Sequence, residues 1–185
     1  MGKRKFFAAI AGITVFGLFG CANRAHIPIV PAVDVERFMG DWYVIGHIPP
    51  FLTDEAFNAV ERYKLTPEGK IDTVYQYNDG GFEAERKTVN STAFVTDDPS
   101  NAVWKIQFVW PIKLDYRISY LDPDYQVTII GRERRDYVWL LSRTPNLPAA
   151  QLKQLEKQIE DFGYDMANWR LVPQRWQTLE EPITQ

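Results

Sequence analysis

From Trp42 to Ser142 apolar and polar residues alternate in eight short runs, each ended by a turn sequence. Trp42-Tyr43-Val44-Ile45 is the first and stops before Pro49-Pro50. Ala59 to Leu65 ends at Pro67-Glu68-Gly69, and Ile71 to Tyr77 at Asn78-Asp79-Gly80-Gly81, a strong hairpin signal. Glu83 to Val95, Val103 to Trp110, Leu114 to Leu121, Tyr125 to Gly131 and Tyr137 to Ser142 complete the series. Period-two runs joined by turns predict an antiparallel meander. The period then lengthens. Leu152, Leu155, Ile159 and Phe162 recur at helical spacing, with Pro148 in front and Gly163 behind. One amphipathic helix is expected there, and Trp169 to Val172 reads as a short added strand.

Alternation also assigns faces. Lys105 and Gln107 must meet water, which turns Trp104, Ile106, Phe108 and Trp110 inward. Asp115, Arg117 and Ser119 look outward, so Tyr116, Ile118 and Tyr120 are expected inside. Strands two and four carry mixed faces and cannot be phased this way. Eight antiparallel strands would leave two unpaired edges, and closing the sheet removes both. The fold expected is an all-β, eight-stranded up-and-down barrel with one C-terminal helix. A barrel of this size either fills with its own side chains or holds one small ligand.

Composition narrows the partners. The chain of 185 residues suggests one domain, with 45% hydrophobic and 24% charged residues. Its net charge is -3 and it has no long basic run, so nucleic acid is not an expected partner. Aromatic residues reach 14%, good lining for an apolar chamber and equally good core for an ordinary β fold. His26 and His47 lie apart, so no metal cluster is expected. No Gly-x-Ser-x-Gly is present, and the acid pairs Asp97-Asp98 and Asp122/Asp124 sit in turns. No catalytic residue, metal or cofactor is predicted, and the chain reads as a non-enzyme.

The N-terminus carries a targeting pattern. Lys3, Arg4 and Lys5 precede an uncharged apolar stretch from Phe6 to Phe19, shorter than the ~20 residues a spanning helix needs. Leu18-Phe19-Gly20-Cys21 resembles the lipobox of bacterial lipoproteins. That resemblance implies a signal peptide over residues 1–20 and an acylated Cys21, the only cysteine, as lipid-attachment site. Several acyl chains, palmitate among them, anchor firmly where one alone holds weakly. Ala22 and Asn23 follow, without the aspartate that retains such proteins at the inner membrane, which implies the outer membrane. Residues 21–33 read as an extended tether, 34–177 as the folded domain and 178–185 as a tail.

Three further motifs fall in order on the predicted strands. Gly40-Asp41-Trp42 opens the first strand, Asp124-Tyr125 lies between six and seven, and Arg143 follows strand eight. Together with the helix they resemble the lipocalins. The resemblance implies that Gly40, Trp42, Asp124, Tyr125 and Arg143 are structural, with Trp42 packed under the Arg143 guanidinium at a closed end. Trp139 shares the face of Arg143 and so joins the interior, while Val138 and Leu140 face outward under the helix. The ligand wall expected is Trp104, Ile106, Phe108, Trp110, Tyr116, Ile118 and Trp139. Lys113, Arg132, Arg134 and Arg135 near the open end would meet a carboxylate or phosphate head, or simply form solvated hairpin tips.

The resemblance implies binding, storage or transport of a fatty acid or lysophospholipid for membrane maintenance or stress, with the barrel facing the periplasm. A lipid-modifying enzyme and a homodimeric interaction module of the envelope are the competing readings. The anchor is directly testable. Membrane fractionation should move a Cys21→Ser protein out of the outer-membrane pellet; a variant that still sediments there contradicts lipid anchoring.

Overall fold

The computed structural model describes residues 25–49 and 55–176. The signal peptide and Cys21 lie outside the described residues. Eight strands form the barrel: β1 (Gly40–Ile48), β2 (Ala56–Leu65), β3 (Ile71–Asp79), β4 (Arg86–Val95), β5 (Val103–Val109), β6 (Ile112–Leu121), β7 (Val127–Gly131) and β8 (Val138–Ser142). Each pairs antiparallel with its sequence neighbour, and β8 and β2 both pair with β1, so the sheet closes. A short β9 (Arg170–Leu171) adds to the upper part of β1, beside Gly46 and His47. The expected eight-stranded barrel with a C-terminal helix is the observed fold.

The main helix, α2 (Ala149–Asp161), follows β8. Its Leu155 and Ile159 are buried against Ile45, Val127, Ile129, Val138 and Leu140 on the outside of the wall. Leu152 and Phe162 pack at the edge of the same cluster. This second core explains why β7 and β8 are buried at every position. A one-turn helix, α1 (Val35–Phe38), leaves no mark in the sequence pattern, because four residues are too few to show a period. Asp34 caps it by accepting from the Arg37 backbone N–H at 3.1 Å.

Several strand limits differ from the pattern for local reasons. β4 starts at Arg86, not Glu83. β5 ends at Val109, and β7 starts at Val127 because Tyr125 adopts a left-handed turn conformation, φ 59°. Tyr120 does not point inward as expected. A register shift between Ile118 and Tyr120 inserts one extra residue in β6, and Tyr120 packs on the outer cluster. Leu121 then returns to the inner core.

One end of the barrel is sealed. Phe38 from α1 lies among Trp42, Tyr63 and Trp104, with ring centroids 5.0, 5.4 and 5.2 Å away. Trp104 stacks on Tyr116 at 5.6 Å, and the Tyr63 and Tyr116 hydroxyls meet at 2.5 Å. Below this floor the Arg143 guanidinium lies 3.8 Å from the centre of the Trp42 ring. It donates to the carbonyls of Asp41, Arg37, Phe38, Met39 and Tyr125 at 2.8–3.3 Å. Gly40 approaches it so closely that a Cβ would stand 3.3 Å from Nη1, and its φ of 98° suits glycine alone. Tyr125 holds the other side: its ring sits 4.0 Å from the Arg37 guanidinium and its hydroxyl accepts from the Asp34 N–H at 2.9 Å.

Arg143→Ala removes the cation from the ring and strands those carbonyls. Chemical denaturation should show a loss of about 3 kcal/mol, with ligand affinity of the folded variant little changed. A stable variant that has lost its ligand would overturn the structural role of Arg143.

Candidate functional site: the barrel interior and its rim

The strand directions fix what lies where. β1, β3, β5 and β7 run away from the sealed end, so the connections after them form the open rim. Above the floor the inward residues of those strands and their partners form one apolar cluster. Tyr75 and Tyr77 stack at 5.0 Å, and Tyr75 also faces Trp139 at 5.2 Å. Val44, Ile106 and Ile130 are buried in the same core, with Val89 and Leu114 partly buried against it.

The expected wall residues therefore divide into three groups. Trp104, Tyr116 and Ile118 are buried inside, but the two rings belong to the packed floor. Ile106 and Trp139 stand on the upper wall. Phe108 and Trp110 correct the expectation: they are 44% and 82% exposed. β4 pairs with β5 only as far as Gln107, and the register of β5 against β6 shifts after Ile106. Beyond that point no neighbouring wall enforces the alternation, and the β5–β6 hairpin leaves the barrel.

Strand phasing that the sequence left open is now settled, and it exposes a missed residue. Glu61 on β2 lies opposite Trp42 on one side and Tyr75 on the other, both inward. It is 1% exposed, and its Oε2 has no hydrogen-bond partner among the described residues. Burial pushes its carboxyl well above the ordinary glutamate value. Burial likewise raises the Tyr63 and Tyr116 hydroxyls. Trp139 Nε1 is a second buried polar atom without an acceptor. The signal was present: Arg62 and Lys64 are exposed, which puts Glu61 on the face of Tyr63. His47 is also buried on the inner face, opposite Trp139.

The rim cations do not assemble into one head-group site. Arg132 and Arg134 share Asp136, at 3.0 and 3.6 Å. Lys113 Nζ lies 3.8 Å over the Phe94 ring, beside β4. Arg135 spends its donors on backbone carbonyls of Phe162, Glu133 and Ala25, at 2.7, 3.1 and 2.7 Å. A polar cleft of about 500 Å³ beside the rim mixes Glu55, Asp136 and Asp165 with Arg135 and Arg170. Its lining is a poor match for a hydrocarbon tail.

The segment read as a tether lies against the wall where it is described. Val33 N–H donates to Ser100 O near the sealed end, and Val30 N–H to Ile118 O. Ile27 is buried against Gly131, where a Cβ would come within 2.6 Å of its Cδ1. His26 Nδ1 meets Glu133 at 3.2 Å, and Ala25 O accepts from Arg135 at the open rim.

Comparison with known proteins agrees with this architecture. The model of a family described as "Lipocalin-like domain" matches residues 33–174. Temperature-induced lipocalin-1 of Arabidopsis thaliana is 31% identical over 161 residues, covering 82% of this chain and 85% of the relative. Outer membrane lipoprotein Blc of Citrobacter freundii is 29% identical over 158 residues, covering 82% and 87%. Apolipoprotein D of Bos taurus is 28% identical over 159 residues, covering 76% and 80%. Among solved structures, apocrustacyanin C2 superposes with a TM-score of 0.60 at 10% identity, covering 80% of this chain and 91% of its own. Insecticyanin of the tobacco hornworm Manduca sexta gives 0.60 at 13% identity, covering 80% and 84%. Barrel, sealed end, helix and family match together place the chain in the lipocalin-like family.

Proposed function

We propose that the chain binds one lipid, a fatty acid or lysophospholipid, with its hydrocarbon tail in the upper barrel. The observation that carries this is the lining itself: Val44, Tyr75, Tyr77, Ile106, Ile130 and Trp139 form an apolar, aromatic inner face above a sealed floor. Burial of apolar area is favourable by about 25 cal/mol per Å², so such a wall favours hydrocarbon. The chain stores or transports that lipid and does not transform it. Its anchor is acylated Cys21, and its place is the outer membrane with the barrel in the periplasm. The likeness to Blc, named an outer membrane lipoprotein, supports this placement. A role in membrane maintenance or stress belongs to the same proposal.

The chamber contains hydrogen-bonding groups rather than fixed charge. Glu61 keeps its proton to higher pH than an exposed glutamate, and Trp139 contributes an N–H. While Glu61 holds its proton both groups are donors, and a carbonyl or hydroxyl near the top of a lipid tail is then the complementary group. This places polar recognition inside the chamber and leaves the rim arginines to their own loop.

Native mass spectrometry of gently purified protein should show one lipid-sized adduct. Val89→Trp, which fills the space opposite Tyr75, should keep the barrel and lose the adduct. An adduct retained in that variant would exclude the upper chamber as the site. Incubation with lysophospholipid should return the lipid unchanged, whereas released fatty acid would establish catalysis.

Glu61 also makes stability depend on pH. Below about pH 4.3, the ordinary glutamate value, folded and unfolded chains both hold the proton and its stabilising contribution is complete. As pH rises further the unfolded chain ionises first, so stability falls until the raised folded-state value is passed. Glu61→Gln should flatten this part of the profile, read as melting temperature from pH 4 to 9. An unchanged slope would show that Glu61 does not titrate in the barrel.

A further inference from the structure

We propose that the floor of the barrel carries a hydrogen-bonding subsite, Glu61 with the Tyr63–Tyr116 hydroxyl pair, for the un-ionised hydroxyl or carboxyl end of a single-chain lipid. The ligand then binds polar end down, with its tail towards the rim. This rests on the lipid-binding reading above and narrows it to a ligand with a small neutral head.

The strands place these groups together. Tyr63 meets Phe38 and Trp104 and belongs to the floor. Glu61 is the next inward residue of β2, about 6.6 Å further along the strand. Its cross-strand partners are Trp42 on β1 and Tyr75 on β3. It is therefore the first side chain of β2 above the floor.

Two hydrogen-bonding functions at this level are unused. Glu61 is 1% exposed, and its Oε2 has no partner among the described residues. The Tyr63 and Tyr116 hydroxyls bond to each other. In such a pair one O–H donates and the other hydroxyl accepts, so the acceptor's own O–H is left over. All three groups feel one another: burial is the first cause that raises both hydroxyls, and the Glu61 charge is a further cause at each. Buried polar groups are normally paired, and an unpaired one is destabilising. A partner that arrives with the ligand accounts for a carboxyl at the bottom of an otherwise apolar interior.

The surroundings select that partner. No Lys or Arg is buried among the described residues. An ionised phosphate or carboxylate at the floor would lose its water and gain no cation. A lysophospholipid head does not fit this level. An ammonium group would require Glu61 to ionise, and the desolvation of a buried ion pair offsets its attraction. A neutral O–H both donates and accepts, which matches a protonated carboxyl beside a tyrosine hydroxyl. Long-chain alcohols and protonated fatty acids share that chemistry.

The test uses the full lipidated chain in nanodiscs, loaded with octadecanoic acid that carries a photoreactive diazirine beside either its carboxyl or its terminal methyl. Peptide mapping then locates the label. The carboxyl-end probe should label Glu61, Tyr63 or Tyr116, and the methyl-end probe the upper barrel from Tyr77 to the rim. The reverse pattern would overturn the polar-end-down orientation and leave lipid binding intact. No label inside the barrel from either probe would remove the lipid-binding reading as well. Competition addresses the chemistry: octadecanol and octadecanoic acid should displace the probe alike, and octadecylamine and lysophosphatidylethanolamine several-fold less well. Glu61→Leu removes an unpaired buried carboxyl and should fold. It should bind octadecanol about tenfold more weakly, the loss expected for a hydrogen bond, and Glu61→Gln should recover most of that loss. A folded Glu61→Leu protein with wild-type affinity for octadecanol, or an amine or lysophospholipid that competes equally, would overturn the subsite.

Discussion

Arg143 over Trp42 decides which end of this barrel is a floor. A closed sheet has two openings, and a chamber for a greasy molecule can tolerate only one. Here a guanidinium is drawn under an indole and among five backbone carbonyls, four from the chain that enters β1 and one, Tyr125 O, from the turn before β7. Its burial lowers its affinity for the proton, yet guanidinium remains charged. The carbonyls supply what water would otherwise have supplied. Gly40 makes the approach possible, and Phe38 on α1 carries the packing upward into Trp104 and Tyr63. A single direction for entry and exit follows.

The outer surface is organised around the same polarity. α2 covers the wall beside β7 and β8, and its C-terminal end lies near the β7–β8 loop, where Arg135 binds Phe162 O. The same arginine holds Ala25. One side chain thus ties helix end, rim loop and N-terminal strap together. Gly131 gives Ile27 room to lie flat on the wall. The strap is a structural part of the barrel exterior over residues 25–33, with backbone hydrogen bonds to Ser100 and Ile118.

What could be read in advance followed from regular periods. Leu155 and Ile159 share a helical face, and Val138 and Leu140 lie beneath it, because both elements repeat without interruption. Trp42 and Arg143 were legible through motif and order. The departures have separate local causes. One extra residue at Ser119–Tyr120 turned Tyr120 out. Phe108 and Trp110 keep perfect alternation but lie beyond the last partner in β4, so no inner face exists for them to occupy. Glu61 stayed hidden because charges sit on both faces of β2, and a lone carboxyl is the least expected of inward residues. Arg132 and Arg134, open in the sequence to a head group or to a solvated hairpin tip, both meet Asp136 within the same loop. Local ion pairing, at loops, is as good a first expectation as ligand binding.

A lipid carrier must also solve transfer. A tail of about 15 methylenes exposes roughly 12 kcal/mol of unfavourable surface at ~0.8 kcal/mol each. Passing through water is therefore slow, whatever the affinity of the chamber. A mouth held near the acyl region removes most of that barrier, because the tail exchanges one apolar environment for another. The sealed floor permits no second route, so the orientation of the rim controls the exchange. On the proposed reading, the anchor at Cys21 supplies proximity: it raises the effective concentration of the mouth at the membrane, so that brief encounters in which the rim faces the lipid recur often enough for exchange.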